Sequence, residues 1–143
     1  MDNKRTEWLN GMLRAELSAA ETYSRMLETS ASAEHHQEYE RIREDHRESA
    51  RLLNAQIIEL GGIPSDEAST WQNIATLVSI AHSPSDPSAL KALIAGEEQD
   101  LLTYQGALGD AALDGEAREL VESMLMPRTE AHLTTLRKYL TAA

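Results

Sequence analysis

A chain of 143 residues with 13 Lys+Arg against 24 Asp+Glu carries a formal charge of −11, which makes one acidic domain that repels phosphate backbones, so nucleic-acid binding is not expected. The absence of cysteine excludes disulfides, zinc–thiolate sites and thiol nucleophiles. The longest apolar stretch, Ile74 to Ala81, is too short to span a bilayer, and the opening MDNKRTEWLNGML lacks a secretory apolar run, so a cytoplasmic protein without membrane contact is expected.

Four long amphipathic stretches predict an all-α four-helix bundle. The first runs from about Lys4 to Thr29 and places Leu9, Leu13, Glu16, Ala20, Tyr23 and Leu27 on one helical stripe. Ser30 to Ala33 breaks the pattern and offers a serine N-cap for a second helix over about Glu34–Leu60. Its inward residues are Tyr39, Ile42, His46, Ala50, Leu53, Ile57 and Leu60. Gly61-Gly62 supplies a left-handed stop, and Pro64 bars resumption.

Residues 62–87 read as a long link, in which turn formers flank a short apolar piece, Trp71 to Ala81, expected as one small helix with Trp71 as its anchor. Asp86-Pro87 is an N-cap followed by a proline at the first helical position. The third helix continues to about Leu108, with Leu90, Leu93, Ile94, Glu97, Leu101, Tyr104 and Leu108 on its stripe. After a turn over Gly109–Gly115, the fourth helix takes the remainder with Val121, Leu125, His132, Leu136, Tyr139 and Leu140 inward. Pro127 is expected to kink it or to start a second segment. Short, long and short links pair the first helix with the second and the third with the fourth, both antiparallel.

Two echoes carry the chemistry. ELSAAETY, from Glu16 to Tyr23, aligns without a gap on EEQDLLTY, from Glu97 to Tyr104. Each partner helix then carries one central histidine, His46 or His132. This reads as a duplicated helix pair. A carboxylate in an apolar stripe is costly unless it is paired, hydrogen-bonded or bound to a cation. Glu16, His46, Glu97 and His132 are therefore a candidate metal site, and carboxylate with imidazole suits iron, manganese or zinc. Tyr23 and Tyr104 are expected to donate hydroxyl hydrogen bonds to the carboxylates. His35 and His36 are expected to be exposed, and Tyr39 and Tyr139 to pack with wet hydroxyls.

The chain resembles the ferritin-like superfamily at these residues, and within it a bacterial branch that carries the same order of short motifs. These are Glu16 with Tyr23, Gly61-Gly62 and Pro64, Trp71, Gly96-Glu97 with Tyr104, and His132. The resemblance implies a four-helix di-iron carboxylate fold with one long crossover, a Glu on the first and third helices, and Glu-x-x-His on the other two. At the two bridging positions this chain has Arg43 and Thr129. The implied di-iron set is thus partial. Arg43 is expected to pair with Glu16 or Glu97 in place of a metal charge, and Asp100 is the one nearby carboxylate that compensates.

The expected function is a metal-binding ferritin-like protein that handles iron with oxygen or peroxide. The competing reading is a metal-free bundle of the same fold that serves as a structural or interaction module. Iron is the first cofactor expected, with manganese or zinc as substitutes, and none under the competing reading. The metal ion is the expected partner, and a homodimer is the assembly that such bundles suggest.

Overall fold

A computed structural model describes residues 3–29, 35–66 and 87–142. Helix α1 spans Asn3–Thr29 and α2 spans His36–Glu59. Helix α3 spans Pro87–Leu108. The fourth rod is composite: α4 over Gly115–Leu120, a π-helical turn over Val121–Leu125, and α5 over Met126–Ala142. The expected Trp71–Ala81 helix, the serine cap within 30–33 and the Asp86 cap lie outside the described residues. Among the described residues no helix is long and apolar enough to cross a membrane.

The four rods form the predicted bundle, with α1 packed along α2 and α3 along α5. Directions follow from which residues meet. One apolar cluster gathers Tyr23 and Met26 of α1, Tyr39 and Ile42 of α2, Leu90 and Leu93 of α3, and Leu133 and Leu136 of α5. The other gathers Leu9, Met12 and Leu13 with Leu53 and Ile57, Tyr104 and Ala107, and Val121 and Leu125. Late α1 therefore meets early α2, and early α3 meets late α5, so both pairs are antiparallel. Early α2 also shares a cluster with early α3, so these two run parallel, as in a bundle with one long crossover.

Local chemistry sets the breaks. Gly61 has φ +81°, and its N–H bonds to the Ile58 carbonyl while the Gly62 N–H bonds to that of Ile57. This paired capping closes α2. A Cβ on Gly62 would stand 2.8 Å from Thr6 Cγ2 and 3.0 Å from Ile57 Cγ2, so the exit of α2 passes tightly against the start of α1. Helix α2 begins at His36, not Glu34, and its N-cap is His35 in the left-handed region at φ 69° without a side-chain cap bond. His35 stacks on Tyr139 with ring centroids 3.5 Å apart, and both His35 and His36 are half-buried, not exposed as expected. Tyr39 is likewise fully buried, which corrects the expected wet hydroxyl.

In the fourth rod, Pro127 has no N–H, and its ring would crowd the Ser123 carbonyl in a regular α-helix. The wider π turn immediately upstream absorbs that conflict. At the opposite end of the chain order, Trp8 Nε1 donates to Asp110 Oδ2 at 3.0 Å, and Arg5 pairs with Asp114 at 2.7 Å. These contacts fasten the turn after α3 to the first turns of α1.

Candidate metal centre

Between the two apolar clusters lies a polar layer. Glu16 comes from α1, His46 from α2, Glu97 and Asp100 from α3, and Thr129 and His132 from α5; all are buried. Each sits on the inward stripe of its helix because it replaces an apolar residue at helical spacing, so the same periodicity that builds the core delivers the site.

The hydrogen bonds join all four helices. His46 Nδ1 lies 2.7 Å from Glu16 Oε2, and His46 Nε2 lies 2.8 Å from Glu97 Oε2. Tyr23 donates to Glu97 Oε2 at 2.8 Å, and Tyr104 donates to Glu16 Oε1. Each tyrosine thus serves the glutamate of the other echoed segment, an exchange between α1 and α3 that the internal duplication makes symmetric. His132 Nδ1 lies 3.2 Å from Glu97 Oε1, and its Nε2 lies 2.8 Å from Asp45 Oδ2. Asp45 is a site residue that the sequence reading missed; its only signal was its place beside His46 on the edge of the stripe.

Electrostatics follow from burial and proximity. Burial alone would push the His46 imidazole down, but the Glu97 and Glu16 carboxylates outweigh it and hold His46 well above the ordinary histidine value. Burial likewise opposes the charge on His132, which Glu97 and Asp45 raise. Glu97 is held well below the usual carboxylate range, because His46 and His132 overcome its desolvation. Burial, then the neighbouring carboxylates, pushes Tyr23 and Tyr104 well up, so both phenols stay protonated and act as donors. The protonated imidazole of His46 donates from both nitrogens and supplies positive charge between two carboxylates.

Arg43 does not take that role. Its guanidinium pairs with Glu44 at 3.4 Å on the same helix, which corrects the expected pair with Glu16 or Glu97. The reason is local: His46, one turn on, already fills the space between the glutamates. Thr129 turns its hydroxyl back to the Leu125 carbonyl at 3.1 Å.

The donor set fits an ion. One ligand atom each from His46, Glu97 and His132 lie within 4.8 Å of one another, and the same holds for Glu16, His46 and Asp100. Two imidazoles and a carboxylate are a set that iron(II), manganese(II) and zinc(II) accept. The set does not fit a pair of ions bridged by carboxylates from positions 43 and 129, because an arginine and a back-bonded threonine stand there.

No protein-family model matches the chain, and no curated protein matches it. Among solved structures, the bacterioferritin of Rhodobacter capsulatus matches with a TM-score of 0.81 and 24% identity, over 99% of this chain and 86% of that one. That bacterioferritin was solved with a metal-free dinuclear site and with haem iron in a crystallographic special position. At this identity the likeness shows the fold: the chain has the ferritin-like four-helix bundle.

Proposed function

We propose that this protein is a metal-binding ferritin-like protein in which Glu16, His46, Glu97 and His132 hold a transition-metal ion, iron first, with manganese or zinc as alternatives. The observation that carries this reading is the buried layer itself. His46, Glu97 and His132 converge from three helices, and both glutamates accept a tyrosine hydrogen bond that fixes their orientation. Bound iron(II) supplies one-electron redox chemistry toward oxygen or peroxide. The chain's own residues bind and orient the ion, while the apolar clusters above and below keep water out. Tyr23 and Tyr104 hold the carboxylates, and His46 holds a proton that leaves when the ion arrives.

Elemental analysis after expression in iron- and manganese-supplemented medium tests the reading. Near-stoichiometric metal is expected in wild type and its loss in Glu97→Gln; metal-free wild type whose melting temperature ignores added Fe(II), Mn(II) and Zn(II) would refute it.

A second reading is favoured by one observation: His46 hydrogen-bonds both glutamates at once, with a proton in place of a cation. On that reading the bundle is a metal-free structural or interaction module. It predicts that the four polar residues affect stability alone, with no metal-dependent shift in any assay.

A further inference from the structure

The tyrosine of the first echoed segment continues into a line of rings, and that of the second does not. Tyr23 stacks against His46 with centroids 5.6 Å apart, and its other neighbour is Tyr39 at 6.2 Å. Tyr39 makes a T-shaped contact with His35 at 6.2 Å, and His35 stacks on Tyr139 at 3.5 Å. Among the described residues no ring packs on Tyr104, although it bonds Glu16 as Tyr23 bonds Glu97. The line therefore leaves the polar layer on one side only. It crosses the apolar cluster that holds Tyr23 and Tyr39 and ends at His35 and Tyr139, both half-buried, where α2 begins and α5 ends.

Each gap in the line is that of a packed aromatic pair. Electron tunnelling falls off exponentially with distance, so rings in succession carry an electron farther than the same span of aliphatic side chains. A phenol gives up an electron together with its hydroxyl proton, which needs an acceptor. Tyr23 has one at the inner end, the Glu97 carboxylate at 2.8 Å. Tyr139 has solvent at the outer end. The Tyr39 and His35 rings lie between these two stations and bridge them.

We propose that Tyr23, Tyr39, His35 and Tyr139 form an electron path from the polar layer to the surface, and that the His35–Tyr139 stack is where a soluble hydrogen-atom donor of the enediol class refills it. The use of the path rests on the iron reading above. Hydrogen peroxide that takes one electron in the layer, from an ion passing from the divalent to the trivalent state, splits into hydroxide and a hydroxyl radical. A second electron, from the Tyr23 phenol, takes that radical to hydroxide, and the phenol proton passes to Glu97. The Tyr23 radical then draws an electron from Tyr139 across the bridging rings and takes its proton back from Glu97. Tyr139 releases its proton to solvent and, as a radical, takes a hydrogen atom from the enediol. Peroxide thus receives two electrons, one from the ion and one from the enediol, and the protein is left unchanged.

The test keeps the path separate from the metal. Metal-free protein is oxidised by a flash-generated ruthenium(III) polypyridyl complex, too bulky to enter the bundle, and samples frozen at successive times are read by electron paramagnetic resonance. Tyr23 is fully buried, so a radical there must arrive from the surface. Wild type is expected to show a tyrosyl signal that passes from Tyr139 to Tyr23, the late signal being assigned by its loss in Tyr23→Phe. That late signal is lost in Tyr139→Phe and in Tyr39→Leu, and it persists in Trp8→Phe, whose ring packs with the other apolar cluster. Tyr139→Phe keeps a ring to stack on His35, so its loss of signal reports the missing phenol and not a failure to fold. A signal that never leaves Tyr139, or a Tyr23 signal that survives Tyr139→Phe, overturns the path. In Fe(II)-loaded protein given peroxide and ascorbate, a spin trap is expected to catch more hydroxyl radical from Tyr139→Phe than from wild type. Equal trapping overturns the peroxide step alone, and wild type that takes no iron overturns the function proposed above together with that step, while the metal-free samples still decide the path.

Discussion

His46 of α2 and His132 of α5 face each other with ring centroids 4.9 Å apart, yet their outer contacts differ. Both nitrogens of His46 meet carboxylates that are sealed in the bundle. His132 meets one sealed carboxylate and then Asp45, whose side chain is 31% exposed. The contacts of His46 are therefore closed, whereas those of His132 open to solvent through Asp45. Charges in the closed part cannot be relieved by water when a partner is lost, whereas those on the open side can. The same chemical pair, imidazole and carboxylate, should thus matter differently in the two places.

The largest effect is expected from His46→Ala. It strands two buried carboxylates, and breaking a buried pair costs about 3–5 kcal/mol; urea unfolding of metal-free protein checks this. Tyr23→Phe and Tyr104→Phe remove hydrogen bonds to buried carboxylates and should cost about 1.5–3 kcal/mol each. Near-equal losses would support the exchange between α1 and α3. Asp45→Asn should cost only about 1 kcal/mol, because Asp45 is partly exposed and an amide oxygen in its place can still accept from His132 Nε2. A loss as large as that of His46→Ala would remove the distinction between closed and open sides. Arg43→Gln should change stability by no more than about 0.5 kcal/mol, since its partner is an exposed glutamate on its own helix.

Acid and base should act on the closed part in opposite senses. The folded value of His46 is raised above its ordinary 6.5, so its stabilisation is complete below that pH and is lost as pH rises through the folded value. Glu97 is lowered from its ordinary 4.5, so its stabilisation is complete above that pH and is lost on acidification. Metal-free protein should be most stable between about pH 4.5 and 6.5 as far as these two groups decide it. A melting temperature that keeps rising from pH 6.5 to 8 would contradict the assignment of a proton to His46. Since an arriving cation must displace that proton, metal affinity should increase over the same interval.

Much of the bundle was legible in the sequence because helical periodicity is a local signal. Leu9, Leu13, Tyr23, Ile42, Leu53, Leu93 and Leu136 all fall on stripes that the structure buries. The polar layer was legible for the same reason: Glu16, His46, Glu97 and His132 interrupt those stripes in matching frames. What escaped depends on rotation and reach. Asp45 lies at the edge of the stripe, and only the approach of α5 makes it a partner of His132. Arg43 lies on the stripe's edge, where a long side chain can turn outward to Glu44, which no spacing rule decides. Nor does spacing reveal that each tyrosine bonds the other segment's glutamate, because that depends on how α1 and α3 cross.

The most direct test of the metal centre is anomalous diffraction from crystals loaded anaerobically with Fe(II) and measured at the iron edge. The account predicts an anomalous peak within coordination distance of His46, Glu97 and His132, with the His46 ring no longer hydrogen-bonded to Glu97. No peak in the layer, with His46 still bridging Glu16 and Glu97, would contradict it.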